Sequence, residues 1–311
     1  MNQRQILFTL EQLNVFQTVI QEGSFKKAAL KLYISQPAVT LKIQTLEKTV
    51  NTPLLKKDKY TKHLVLTDAG HLLIKYSTRI MSLCNEAFQT LQDLNNLQSG
   101  RLSIGGSQTT GTYILPKMIG LFRENYPHIS IDLQVNSTRS IVSDIAKGTI
   151  DLGIVGGEIP NEFIPIVQIL PYANDELVLI LSNFHPLSKK QQILKEDLYS
   201  LNYITLQSNS TTKNVIDNAL KKNGIDVNRL RVIMELNSIE AIKNTVEAGL
   251  GCAFVSYTAI QKELKLNILS YVTIEDLILE RYLLLVINAH RYHSKAVYSF
   301  VQEILGFQTS S

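Results

Sequence analysis

Residues 24–47 read SFKKAALKLYISQPAVTLKIQTLE, and their spacing predicts two short helices joined by a tight turn. Ser24 stands where a hydroxyl caps the free amides of Lys26 or Lys27. Phe25, Ala28, Ala29 and Leu32 recur at helical spacing and make one apolar face. The second helix opens at Ser35, followed by Gln36 and by Pro37 in the first turn, where a missing amide costs nothing. On a helical wheel Val39, Ile43 and Leu46 fall together and point into a small core. Pro37, Thr40, Leu41, Gln44 and Thr45 fall on the opposite face, which carries no acidic residue. Such groups read base edges: Gln bonds adenine, Thr bonds several bases, and an outward Leu touches a thymine methyl. An ordinary helical hairpin with a solvated face is the plain alternative.

Charge bears on that choice. Residues 1–70 hold ten Lys or Arg against five Asp or Glu, so the remaining chain holds 21 basic and 22 acidic residues. All the excess positive charge therefore lies on the unit with the helical pair, where it favours phosphate contacts. Lys26, Lys27 and Lys42 accompany the two helices. Residues 54–67, LLKKDKYTKHLVLT, place Lys56, Lys57, Lys59 and Lys62 around a turn before a short apolar strand, a β-wing that grips phosphate beside a groove.

The chain of 311 residues has room for two or three domains. No run of 18 apolar residues predicts a membrane span, and the opening MNQRQILFTLEQLNVF resembles neither a signal nor a transit peptide. Two cysteines, Cys84 and Cys252, are too few for a disulfide framework or a zinc site and are read as small core residues of a reducing compartment. Thr9 and Gln12 form a capping-box pattern, and Gly23 ends that first helix. Thr67 caps a long helix that runs toward Ser99 without proline. Leu73, Tyr76, Ile80, Leu83, Ala87, Leu94 and Leu97 alternate by threes and fours along it, with Thr90 the weak member. A seam of this length calls for a partner helix, hence a two-fold dimer that presents two recognition helices to two half-sites. Packing on its own chain is the alternative.

The pattern FxxVxxxGSFxxAAxxLxxSQPAVTxxIxxLE, a basic wing, LTDAG and a long helix resembles the LysR family of transcription regulators. The family usually has Phe at Leu55, Arg at Lys57 and Gly at Asn51, so the wing contacts are the part least carried over. The resemblance implies an α/β protein with three parts. An N-terminal all-α winged helix-turn-helix covers residues 1–67, and a dimerising linker helix covers 68–98. A two-lobed effector domain like periplasmic binding proteins covers 99–311, with lobe I as 99–172 and 276–311 and lobe II as 173–275.

Beyond Ser99 strands and helices alternate, among them a strand at Arg101–Ile104, a helix at Tyr113–Asn125 and strands at Asp151–Val155 and Leu177–Leu181, which predicts parallel sheets covered by helices. Ligands of such sheets lie at strand ends near helix starts. Three turns there are rich in hydroxyls or amides: Ser107, Gln108, Thr109 and Thr110; Asn136 and Ser137 with the cation Arg139; and Gln207, Asn209, Ser210 and Thr211. Local capping explains any one of them, and the three together indicate a small anionic effector.

GSQTTGTYILPKMIGLFRENYP, LQVNSTRSI and IDLGIVGGEIP further resemble the Rubisco-operon regulators of cyanobacteria and algal plastids. That implies control of carbon-fixation genes by a sugar phosphate, phosphoglycolate or a carboxylate. Lys outnumbers Arg 22 to 9, which fits an organelle-encoded gene and a plastid stroma, with bacterial cytoplasm as the alternative. No cofactor, metal or catalytic set is expected. Thr112 and Tyr113 stand where a P-loop would need Lys and a hydroxyl residue, and His290 and His293 have no third ligand in the sequence pattern. A metabolite-binding protein without DNA activity, or a LysR-type regulator of another pathway such as nitrogen or amino-acid metabolism, is the rival function.

Overall fold

A computed structural model describes residues 8–57, 63–95, 100–208 and 210–306. Two compact units divide between Gln92 and Asp93.

In the first unit, helix α1 (Leu10–Glu22) begins at a capping box. The Thr9 hydroxyl accepts from the Gln12 amide at 3.2 Å, and the Gln12 side-chain oxygen accepts from the Thr9 amide at 2.8 Å. Helices α2 (Phe25–Lys31) and α3 (Gln36–Val50) are capped by Ser24 and Ser35, which accept from the Lys27 and Ala38 amides. Asn51 ends α3 at φ +52°, a left-handed position that Asn tolerates better than most residues. Val39, Ile43 and Leu46 are buried with Phe16, Val19, Ala28 and Leu54, as the wheel predicts. Each large apolar side chain buried there contributes about 2 kcal/mol.

Strands β1 (Leu55–Lys57) and β2 (Leu64–Leu66) pair antiparallel and form the wing. Glu47 ties it to α3, since one carboxylate oxygen accepts from the Leu54 amide at 2.7 Å and the Leu55 amide at 3.1 Å. The Thr67 hydroxyl accepts from the Gly70 amide at 3.0 Å and caps helix α4 (Asp68–Asn95). Gly70 is demanded by packing, because a Cβ there would lie 2.1 Å from the Leu54 carbonyl oxygen. Leu73 departs from the predicted outward seam. It packs with Ile74 against the small core of this unit, because the first turns of α4 lie over that core. Tyr76, Leu83 and Ala87 are exposed, Ile80 is half-buried, and Leu72 and Leu91 share their side of the helix. Leu94 falls in the last turn of α4, and Leu97 lies outside the described residues. Cys84 is half-buried on α4 rather than in a core.

The second unit opens with strand β3 (Gly100–Gly106), a π-helical turn at Thr110–Ile114 and helix α5 (Leu115–Asn125). Strand β4 (Ile129–Val135), helix α6 (Thr138–Lys147), strand β5 (Leu152–Gly156) and the 16-residue strand β6 (Val167–Ser182) follow. Next come β7 (Gln192–Ile193), β8 (Asn202–Leu206), α7 (Thr211–Lys222), β9 (Arg231–Leu236) and α8 (Ile239–Glu247). The chain closes with β10 (Ala253–Ser256), α9 (Gln261–Lys265), β11 (Leu269–Ile274), β12 (Glu280–Asn288) and α10 (Lys295–Gly306).

The main sheet runs β4-β3-β5-β12-β6-β11-β7, with β10 also on β6. It is mixed, where the alternation of elements predicts parallel pairing. β3 is parallel to β4 and β5, but β12 is antiparallel to both β5 and β6. The physical reason is that β6 leaves the first lobe and β12 returns to it, so the two strands run in opposite directions. β6 pairs with β12 through Glu176 and then with β10 and β11 from Leu177 onward. Separate cores fill the two lobes: Leu102, Ile104, Phe122 and Phe300 in one, Leu179, Leu181, Ile193 and Leu220 in the other. Cys252 is buried in the second core, and burial pushes its thiol up to about 12.

Candidate DNA-reading face and ligand cleft

Outward on α3, Gln36, Pro37, Leu41, Gln44 and Thr45 are exposed, Leu41 at 64%, and Thr40 is half-buried. The Thr40 hydroxyl donates to the Gln36 carbonyl at 3.1 Å and the Thr45 hydroxyl to the Leu41 carbonyl at 2.8 Å. Both hydroxyls therefore have lone pairs, not protons, left for an outside partner. Lys26 and Lys27 are exposed on the first turn of α2, and Lys56 is exposed on the wing. Lys57 lies opposite Leu64 in that wing, while Lys59 and Lys62 lie outside the described residues. Lys42 is not on this face. Its ammonium sits 2.8 Å from Glu11, because the α3 side that carries it abuts α1. Sequence reading missed Tyr33, 96% exposed in the turn before α3 at φ +55°, a conformation rare for an aromatic residue.

A cavity of about 520 Å³ lies between the lobes of the second unit. Four helix starts border it: the π-helical turn, α6, α7 and α8. Ser137, Ser210 and Ser238 cap the last three, accepting from the Ser140, Lys213 and Ala241 amides. First-turn residues of all three helices line the cavity, and a helix start, with its free amides and positive dipole end, suits an anion. Of the effector residues proposed from sequence, Ser107, Gln108, Asn136, Ser137, Gln207, Ser210 and Thr211 line it, and Asn209 lies outside the described residues.

Three predicted residues do not line it. Thr110 is fully buried, with its hydroxyl bonded to the Ile154 carbonyl and 3.1 Å from the Ser107 hydroxyl. Thr109 is 2% exposed, and its hydroxyl accepts from Arg281 at 3.0 Å. The turn is tucked inward because Gly106 and Gly111 meet closely: a Cβ on Gly106 would lie 2.4 Å from the Gly111 Cα. Arg139 does not line this cavity but pairs with Glu162, where both side chains are at least half exposed, beside a second cavity that it shares with Thr211 and Asn214.

The lobes are bonded across the cleft by Gln108 and Thr211, which the sequence singles out as effector residues, and by Tyr113 and Glu240, which it does not. The Gln108 side-chain amide donates to the Asn237 carbonyl at 2.5 Å, and Thr138 and Thr211 share a hydroxyl contact at 3.1 Å. The Tyr113 hydroxyl donates to Glu240 at 2.6 Å, and Lys243 reaches Glu240 at 2.9 Å and Glu263 at 2.7 Å. Burial, helped by Glu240, lifts the Tyr113 hydroxyl far above its ordinary range. Burial alone would raise the Glu240 carboxyl, but its bonds from Tyr113 and Lys243, with the charges of Lys243 and Lys262, outweigh that and lower it. Glu240 is thus an ionised carboxylate that shares the Lys243 ammonium with Glu263. The i, i+3 spacing of Glu240 and Lys243 was the one signal available in the sequence.

Among the described residues no group of three His, Cys, Asp or Glu is placed to hold a metal, and no helix is long and apolar enough to cross a membrane. His290 and His293 face the carbonyls of Pro165 and Asn288 at 3.0 and 2.8 Å.

Residues 10–71 match the family of bacterial regulatory helix-turn-helix proteins of the lysR type, and residues 95–308 match the LysR substrate binding domain. The chain belongs to the LysR family. This LysR-type regulator is 53% identical over 298 residues to a probable RuBisCO transcriptional regulator of Cyanidioschyzon merolae, covering 96% of this chain and 98% of that protein. Relatives of the same description come from algae and from cyanobacteria. Its fold is similar to that of full-length CbnR complexed with its target DNA, at TM-score 0.72 and 20% identity over 98% of this chain and 100% of that one. It is also similar to the regulatory domain of CcmR from Synechocystis PCC6803 in complex with 2-PG. There the TM-score is 0.60 and the identity 27%, over 67% of this chain and 97% of that one. The LysR-type regulator is a DNA-binding transcription regulator, not an enzyme.

Proposed function

We propose that this LysR-type regulator controls carbon-fixation genes, those of Rubisco among them, in response to a small anion of the phosphoglycolate, sugar-phosphate or carboxylate class. The observation that carries the proposal is the convergence of four helix starts, three of them capped by serine hydroxyls, on one cavity whose carboxylate, Glu240, is held by Lys243. The names of the relatives and the 2-PG held by the CcmR domain support it.

Residues 1–67 are the DNA-binding unit, 68–98 the dimerising helix, and 99–311 the effector-binding domain. The exposed face of Tyr76, Leu83 and Ala87 on α4 supports a dimer or tetramer with paired recognition helices. A plastid stroma is its site of action, supported by the algal relatives and the Lys-rich composition. Effector binding shifts the lobes toward one arrangement and so alters the spacing of the DNA units.

The test is gel retardation with Rubisco promoter DNA over a salt series, with and without 2-phosphoglycolate. Binding should weaken steeply with salt and change in response to the metabolite. Failure to bind at low salt removes the regulator reading, and an unchanged pattern with the metabolite removes the effector assignment.

A further inference from the structure

We propose that Arg281, buried beneath the cleft, is the positioning residue that sets the Thr212 hydroxyl as a hydrogen-bond donor to the bound anion. The inference rests on the anionic-effector reading and names the device that gives the site its polarity.

Arg281 is 6% exposed, near the start of β12 and in register with Asp175 of β6. Its Nε donates to Asp175 at 2.7 Å, and the second Asp175 oxygen accepts from the Ser256 hydroxyl. The charge is thus met within the pair. The two remaining arms reach opposite lobes: Nη1 donates to the Thr212 hydroxyl oxygen at 2.7 Å, and Nη2 to that of Thr109 at 3.0 Å. A guanidinium has donors and no acceptor, so each threonine oxygen must accept and turn its own proton elsewhere. Thr109 is enclosed, but Thr212 opens on the cavity, and no described carbonyl or carboxylate takes its proton.

The neighbouring threonines behave differently. The Thr138 and Thr211 hydroxyls point at the Gly156 carbonyl, at 2.9 and 3.3 Å. With that carbonyl and each other as acceptors, both keep their protons within the protein. Gly156 also leaves room for the arginine, since a Cβ there would lie 3.0 Å from Cζ. A buried ion pair is commonly no more stabilising than apolar side chains of the same volume. Stability alone therefore does not account for Arg281, whereas a rigid fork shared by two lobes and one ligand-facing hydroxyl does.

The test uses the full-length protein and calorimetric titration with 2-phosphoglycolate and with inorganic phosphate. Thr212→Val should weaken the binding of either anion about tenfold or more, and Thr212→Ser should stay within about twofold of wild type. Arg281→Lys, whose donors all sit on one nitrogen and cannot span Asp175, Thr212 and Thr109 as the planar fork does, should weaken binding about tenfold as well. The double variant should be no weaker than Arg281→Lys alone, because the hydroxyl is no longer aimed. Thermal unfolding of each variant checks the fold, and Thr212→Val alone decides the matter if Arg281→Lys unfolds. Wild-type affinity in Thr212→Val, or losses that multiply in the double variant, would overturn the positioning role and leave the anionic effector standing. A wild type that takes up neither anion would overturn both.

Discussion

The outward face of α3 and the wall of the cleft both present hydroxyls and amides, yet they are held in different ways. On α3 the Thr40 and Thr45 hydroxyls bond back to carbonyls four residues earlier, so the helix orients its own reading face. In the cleft, Gln108, Tyr113 and Thr138 bond to residues 73 to 129 positions away. The first surface is local and separable from the core. The second is part of what joins the lobes, so recognition and stability are coupled there.

Asp175→Ala should show that coupling most strongly. It leaves the Arg281 charge buried and unpaired, a change worth about 3–5 kcal/mol of stability. Denaturant unfolding measures it, and a loss below about 1 kcal/mol would mean that water reaches the guanidinium. Gln44→Ala is the counterpart on α3. Discrimination at one base position should fall by about 1–3 kcal/mol, with the unfolding midpoint unchanged. Binding that weakens equally on every DNA sequence would make Gln44 a phosphate contact and blur the contrast.

Tyr113→Phe probes one bond across the cleft and should loosen the effector unit by about 1 kcal/mol at neutral pH. The Glu240 carboxyl is lowered in the folded protein, so its contribution is full above the ordinary carboxylate range and is lost as pH falls through the lowered value. The difference between wild type and Tyr113→Phe should therefore shrink in acid. A difference that is constant with pH would separate Tyr113 from the ionised form of Glu240.

The same contrast explains what the amino-acid order reveals. Val39, Ile43 and Leu46 are legible as a core stripe because 3.6 residues per turn fixes their direction without outside help. Ser24, Ser35 and Thr67 are legible as caps for the same local reason. Lys42 belongs to the right helix and still turns toward Glu11, which lies across a packing interface. The first half of β6 escapes because Pro171 and the run Asn174, Asp175, Glu176 break the apolar alternation, although only Asp175 of that run is buried. Arg281 has no local signature: its partners Asp175, Thr212 and Thr109 meet only when the two lobes close on each other.

Arg139 is the smallest test and the most direct comparison of charge with geometry. By composition it is the natural cation for an anionic effector, standing beside Asn136 and Ser137 at the start of α6. By position it pairs with Glu162 outside the 520 Å³ cavity, and exposed ion pairs of this kind are worth about 0–1 kcal/mol. Arg139→Gln should leave the affinity for 2-phosphoglycolate within about twofold and shift stability by less than about 0.5 kcal/mol. Calorimetry on the variant decides between the two. A tenfold loss would mean that the side chain leaves Glu162 for the ligand. The cleft would then draw on a free surface charge, much as a DNA-reading helix does, and the distinction between a wired site and an open face would weaken.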